Sequence, residues 1–123
     1  MVSGIVTARR EAIARIQLHG FQKQMQQINV IVDTGFTGWL TLPIAVIDAL
    51  ELPAEGVTDM KLADDSIVQA TVHQGFILWK GRKQWIRIHH AEGNPLLGMS
   101  LIFGNRLTLD GMENGPMTIV PLN

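Results

Sequence analysis

The sequence predicts one mostly β domain over residues 1–123, closed into a barrel and carrying one or two short helices. Apolar and polar residues alternate with period two along most of the 123 residues, which is typical of strands. Glycine occurs 12 times, above its average share of about 7%, and supplies the tight turns that an all-β chain needs. Only one long segment has helical spacing, so a closed barrel is favoured over an open sheet.

The N-terminal third of the chain contains the first predicted strands. A short apolar run at residues 5–7 precedes the alternating segment 12–18. Residues 28–32 are β-branched and almost wholly apolar, which predicts a strand buried on both faces. This strand ends abruptly at Asp33, and residues 39–42 resume as a strand after a turn-rich interruption.

The predicted helix covers residues 43–52. Pro43 suits the first position of a helix, and Pro53 prevents continuation because proline lacks a backbone N–H. Ile44, Ile47 and Leu50 recur with the spacing of one helical face.

The pattern in the second half of the chain predicts two β-hairpins. Residues 57–62 and 67–72 flank a polar turn, and residues 76–79 and 85–88 flank the basic turn 80–83. The chain then continues with a one-turn helix and two last strands, at residues 99–103, 106–109 and 117–120.

Composition excludes several classes of function. The formal net charge is −1, which disfavours a broad nucleic-acid surface. The absence of cysteine excludes disulfides, cysteine-based metal sites and a cysteine nucleophile. No apolar run reaches the ~18 residues of a membrane helix, and the N-terminal segment has no apolar signal region. We therefore expect a cytoplasmic protein that binds neither membrane nor nucleic acid.

Asp33 is the first candidate functional residue. A carboxylate at the end of an apolar strand is energetically costly unless it has a use. Thr34 adds a hydroxyl, and Gly35 permits a sharp turn or close approach of the backbone. The tripeptide alone is an ordinary turn sequence, so a structural role is the simpler interpretation when its context is ignored.

The context of this tripeptide resembles the retropepsin-like aspartic proteases. Residues 30–40, VIVDTGFTGWL, are similar to the active-site loop of that family, in which an apolar strand delivers Asp-Thr/Ser-Gly. Residues 96–98, Leu-Leu-Gly, followed by Met-Ser-Leu-Ile at 99–102, are similar to its second motif and short helix. The hairpin at residues 60–72 lies where the family has its flap. The order and spacing match over roughly residues 5–121, and single-domain prokaryotic members resemble the chain most.

The resemblance implies an endopeptidase that hydrolyses peptide bonds with two carboxylates at one water. Such a pair lies too close for both groups to ionise, so it shares a proton. This chain has one Asp-Thr-Gly, which implies a homodimer that supplies Asp33 twice across a two-fold axis. Thr34 is then expected to bond across that axis, and Gly35 to present its backbone to substrate. No metal or cofactor is implied.

An extended peptide or protein segment is the implied substrate, held between the loop and two flaps by backbone pairing. The residues expected to line its side-chain pockets are apolar ones near the site: Phe36, Val68, Ile86 and Leu97. The residues expected at the flap turn are Ala63, Asp64 and Asp65.

The chain departs from the family pattern at three places. Phe36 stands where a small residue is usual, and it either narrows the pockets or folds into the core. Asp65 replaces a glycine of the flap turn, so it must tolerate any positive φ there. Thr37 and Met99 stand where retroviral members pair an acid with an arginine, so that brace between the two copies is missing.

Two other functional interpretations compete with the protease. Intact Asp33-Thr34-Gly35 favours the enzyme, whereas Phe36 favours a catalytically silent module of the same fold that dimerises or binds peptides. A plain β-barrel ligand carrier would need all the motifs to coincide by accident. A metal site is disfavoured, because adjacent His89 and His90 point to opposite faces of a strand.

Overall fold

The computed structural model describes residues 1–62 and 64–123. Its strands and two short helices confirm the predicted mostly β class. Strands account for 55% of the chain and helices for 8%. The strands are β1 Val2–Val6, β2 Ala12–His19, β3 Met25–Val32, β4 Leu40–Leu42, β5 Ala54–Lys61, β6 Ile67–Trp79, β7 Arg82–His90, β8 Leu96–Leu97, β9 Asn105–Leu109 and β10 Pro116–Pro121. The helices are α1 Ile44–Ala49 and α2 Met99–Ile102. No helix in the described residues has the length and apolar character needed to cross a bilayer.

The strands form one ten-stranded sheet with the order β5-β6-β7-β4-β8-β3-β2-β1-β10-β9. A second pairing, of β6 with β2, joins Leu18 to Ile77 and His19 to Phe76. This pairing closes β6, β7, β4, β8, β3 and β2 into a ring. Most neighbours are antiparallel, but β3 pairs with β8 and β4 pairs with β7 in parallel. Strands β5 and β9 lie at the two ends of the order.

The core is built from the alternate residues of these strands. In β2, Ala14, Ile16 and Leu18 are buried whereas Arg15 is exposed, as period-two alternation requires. Each fully buried Leu or Ile stabilises the fold by about 1.5–3 kcal/mol through removal of apolar surface from water. Strands β4, β7 and β8 and helix α1 complete the same cluster with Leu40, Leu42, Ile47, Leu50, Ile86, Ile88 and Leu97.

Helix α1 is shorter than the predicted 43–52. Pro43 is its N-cap in extended conformation rather than its first helical residue. At the other end Glu51 has a φ of 52°, a left-handed conformation that stops the helix before Pro53 is reached. Of the three residues predicted to share one face, Ile47 and Leu50 are buried, at 1% and 2% exposure, whereas Ile44 is 41% exposed.

The prediction that residues 28–32 are buried on both faces is wrong. Val30 is buried, but Asn29 is exposed and accepts a hydrogen bond from Arg15 on β2. The cause is the closed ring, whose outer face meets solvent where the apolar run alone suggested a covered strand. Strand β6 is also longer than expected, since it runs through both predicted segments 67–72 and 76–79 without a break.

Candidate active site

The site is built around the loop that follows β3, which the last residues of that strand position. Asp33 is half-buried, and Thr34 and Gly35 are exposed. The Asp33 N–H donates to the Leu97 carbonyl oxygen at 2.9 Å, and the Asp33 carbonyl accepts from the Phe36 N–H at 3.2 Å. The Gly35 N–H donates to Asp33 Oδ1 at 2.8 Å. The turn therefore orients its own carboxylate, and the hydrogen bonds of the described residues leave Oδ2 free.

A distant segment of the chain holds this loop in place. Strand β8 pairs with the end of β3, and the Gly98 N–H then donates to the Trp39 carbonyl at 3.0 Å. The first N–H groups of α2 reach loop carbonyls too, Met99 to Phe36 at 2.7 Å and Ser100 to Gly38 at 3.1 Å. These N–H groups have no partner inside the helix, so the loop caps α2.

A side chain completes the junction. Ser100 Oγ donates to the carbonyl oxygen of Thr37 at 2.6 Å, across 63 positions of sequence. The structure thus brings together the two segments that the sequence singled out, Asp33-Thr34-Gly35 and Leu96-Leu97-Gly98. We call their hydrogen-bonded contact the loop–helix junction.

Gly98 is required at the junction for reasons of space. A Cβ at this position would lie 2.5 Å from the Phe36 ring and closer still to the Gly38 carbonyl oxygen. A Cβ at Gly38 would likewise lie 2.5 Å from the Phe36 ring. The two glycines let the loop and the helix approach each other at backbone distance.

Phe36 folds into the domain at the same place. The side chain is half-buried, and its ring meets the His89 ring edge to face, with centroids 5.7 Å apart. The ring fills the space beside Gly38 and Gly98, which accounts for a bulky residue at this position. The ring thus packs against the loop–helix junction and His89 without joining the buried core cluster of the described residues.

His89 lies beside the site, whereas the sequence indicated only that a metal ion shared by His89 and His90 is disfavoured. Its Nδ1 is buried and has no hydrogen-bond partner in the described residues. Burial lowers the pKa of His89, because the charged imidazolium loses hydration there. No sequence signal pointed to its contact with Phe36, since the two residues belong to different parts of the chain.

His90 follows His89 in β7 and points to the opposite face, as predicted. Its ring contacts a residue that caps α1. Its Nε2 lies 2.6 Å from Glu92 Oε2, and the same carboxylate oxygen accepts the Ile44 N–H at 2.8 Å. The Ile44 N–H and the His90 ring lower the pKa of Glu92. Glu92 therefore takes over the capping of α1 that Pro43 cannot provide. Within the described residues, no group of three or more His, Asp or Glu side chains is placed to hold a metal ion.

Two of the expected pocket residues do not line a pocket. Ile86 and Leu97 are both 0% exposed, so their side chains belong to the core and that expectation is wrong. Each faces the inside of the closed ring because its neighbours in the strand take the outer face. Leu97 serves the site through its backbone carbonyl instead, and Val68 is 40% exposed on the β5–β6 hairpin.

Two of the residues predicted to form the flap turn, Asp64 and Asp65, lie at the tip of the β5–β6 hairpin. Asp65 has a φ of 69°, so the position expected to tolerate positive φ does adopt it. Asp64 Oδ1 accepts the Ser66 N–H at 3.0 Å and the Ser66 hydroxyl at 2.5 Å, and these bonds lower the pKa of Asp64. Ala63, the third residue expected there, lies outside the described residues. Ile67, in the last residue pair before the tip, is 66% exposed, and Val57, further from the tip on β5, is 63% exposed.

The stability of the domain is expected to fall in mild acid because of His89. Its pKa in the folded chain lies below the unfolded value of 6.5, so the unfolded state binds the proton more readily. The contribution of neutral His89 is full above about pH 6.5 and is lost progressively as the pH falls through its folded pKa. Urea unfolding of wild type and His89→Leu across about pH 5 to 8 measures it.

The substitution His89→Leu should reduce this pH dependence. An equally steep loss of stability in His89→Leu would contradict the assignment to the buried imidazole.

Comparison with known proteins leaves the site to be judged on its own chemistry. The chain matches no protein-family model, no curated protein and no solved structure. What the fold and the site define is a mostly β domain in which a partly buried carboxylate is held by two glycine-bearing segments.

Proposed function

We propose that this chain is a homodimeric retropepsin-like aspartic endopeptidase. The loop–helix junction carries the proposal, because it joins in space the two motifs on which the resemblance rests. The ring of six strands around the core supports the finer expectation of a closed barrel of the acid-protease type. The cytoplasm is the proposed location, and the reaction requires neither metal nor cofactor.

The chemistry follows from the state of the Asp33 carboxylate. Oδ1 is engaged by the Gly35 N–H, and Oδ2 is free to bind a water molecule. Hydrolysis of an amide needs a base that takes a proton from water and an acid that protonates the carbonyl oxygen. One carboxylate cannot be both at once, so a second Asp33 from another copy supplies the acid.

The reaction then proceeds in two balanced steps. One Asp33 accepts a proton as the water oxygen bonds to the peptide carbonyl carbon, while the other donates its proton to the carbonyl oxygen. The tetrahedral diol then collapses: one of its hydroxyls returns a proton to the ionised carboxylate as the C=O bond re-forms, the C–N bond breaks, and the leaving nitrogen takes the proton of the other carboxyl group. The pair ends as it began, with one shared proton.

The proposed substrate is an extended peptide or protein segment lying between the Asp33 loop and the β5–β6 hairpin. Backbone pairing gives such a ligand most of its affinity, and side-chain contacts give specificity. The exposed Val68 and Ile67 offer apolar contacts on the hairpin, and Asp64 and Asp65 lie at its turn.

A peptide library incubated with the wild-type chain across pH tests the proposal. Cleavage is expected in acid to mildly acidic solution, where the pair carries one shared proton, and it should fall as that proton leaves. Specific activity should rise with chain concentration, because one site needs two chains. Sedimentation measured alongside should show two chains per particle.

A monomer that cleaves peptides would contradict the shared site. A folded dimer that cleaves nothing at any pH would favour the catalytically silent module instead.

A further inference from the structure

Beside the loop–helix junction lies a surface groove of about 300 Å³. We call it the Phe103 groove, and it is lined by Thr37, Trp39, Met99, Ser100 and Phe103. None of these side chains carries a charge. Phe103 is 84% exposed, the highest value among the large apolar side chains of the described residues. An exposed aromatic ring that lines an uncharged groove offers a contiguous apolar surface to a partner.

The position of the groove limits what can cover it. Thr37 and Trp39 come from the loop that carries Asp33, and Ser100 Oγ bonds to the Thr37 carbonyl at 2.6 Å. The groove is therefore rigidly attached to the catalytic loop. Any second copy that brings its own Asp33 beside the first must approach within a few residues of this surface.

In the described residues, a sheet edge without a second partner follows the groove closely in the chain. Strand β9 begins two residues after Phe103 and lies at the end of the strand order, where β10 is its one partner in the described sheet. The five residues that line the groove are few beside the ~20–30 residues that each partner of a stable complex contributes. The β9 edge extends the surface and offers backbone groups to a second chain.

We propose that the Phe103 groove is the contact between the two copies, with Phe103 of each copy inserted into the groove of the other. This inference rests on the proposed function, since the dimer it describes is the one that completes the site. Two-fold symmetry makes the contact reciprocal, so the Phe103 ring of each copy is covered by the groove of the other. A central aromatic ring of this kind typically dominates the binding energy of an interface.

The substitution Phe103→Ser is expected to weaken dimerisation by at least ~30-fold, as measured by sedimentation over a range of concentrations. The exposed ring makes few contacts within one chain, so the variant should fold normally. Cleavage should be lost at low concentration and recovered at high concentration. Phe21→Ser is the matched control, because Phe21 is 50% exposed and precedes β3, at the end of that strand opposite Asp33.

Cysteine cross-linking provides a second readout, because the natural chain has no cysteine. Chains with Phe103→Cys mixed with chains with Thr37→Cys should form a disulfide-linked heterodimer on oxidation. Chains with Phe21→Cys mixed with Thr37→Cys should not.

The outcomes separate this inference from the function on which it rests. An unchanged dimer in Phe103→Ser, with cleavage intact, would overturn the interface and leave the protease. A raised KM with an unchanged dimer would overturn it too, because the groove would then bind substrate. A Phe103-dependent dimer that never cleaves peptides would support the interface and refute the protease. A wild-type monomer without activity would refute both.

Discussion

Replacing Asp33 by Asn is expected to abolish peptide cleavage, with a loss of at least about 10²–10⁴-fold, the contribution of general acid–base catalysis. Asn is nearly isosteric, and its side-chain oxygen can still accept the Gly35 N–H that orients Asp33 Oδ1. It cannot take a proton from water. The variant should remain folded and dimeric and be no less stable, because it removes the repulsion between two carboxylates.

Rates of peptide cleavage, urea unfolding and sedimentation of Asp33→Asn and wild type measure this prediction. The matched control is Asp48→Asn, which changes an exposed carboxylate on α1 and should cleave at the wild-type rate. Equal cleavage by Asp33→Asn and wild type would show that Asp33 is not catalytic.

The substitution Gly98→Ala is expected to have the largest effect on stability, about 2–3 kcal/mol, the upper range for overpacking. The added methyl group would lie 2.5 Å from the Phe36 ring and meet the carbonyl oxygens of Gly38 and Phe36. Neither backbone oxygen can move without breaking its hydrogen bond to the N–H of Ser100 or Met99. The loop–helix junction must therefore open.

Urea unfolding of Gly98→Ala measures the loss, and cleavage should fall with it because the Asp33 loop is displaced. Gly56→Ala is the control, since a Cβ at Gly56 meets nothing within 4 Å and the effect should stay within about 0.5 kcal/mol. A Gly98→Ala variant as stable as Gly56→Ala would mean that the junction is looser than its geometry indicates.

The fold class was predictable because period-two alternation records which residues face the core. Ala14, Ile16 and Leu18 show this pattern, and they are buried in β2. The ends of elements were less predictable, because they depend on backbone conformations that many sequences can adopt. Glu51 ends α1 with a positive φ, although its residue type gives no such signal. The burial of Asn29 was misjudged because strand closure is a long-range property.

Much of the candidate site was predictable from local motifs, since Asp33-Thr34-Gly35 and Leu96-Leu97-Gly98 form one hydrogen-bonded unit. The side chains around it were not. The contact of His89 with Phe36 depends on where β7 lies in the ring, and Glu92 caps α1 from a loop 48 positions away. Ile86 was assigned to a pocket because an apolar residue in a strand does not reveal which face it takes.

Strand β6 links the hairpin tip to the place where the ring of strands closes. It spans 13 residues, pairing with β5 from Ile67 to His73 and with β7 from Val72 to Trp79. The two ladders overlap at Val72 and His73, and His73 Nδ1 lies 3.0 Å from the Leu52 carbonyl. These two buried residues therefore mark the transition from one ladder to the other. Because β6 is one continuous strand, a displacement of the hairpin tip is expected to reach Phe76 and Ile77, where the ring closes on β2.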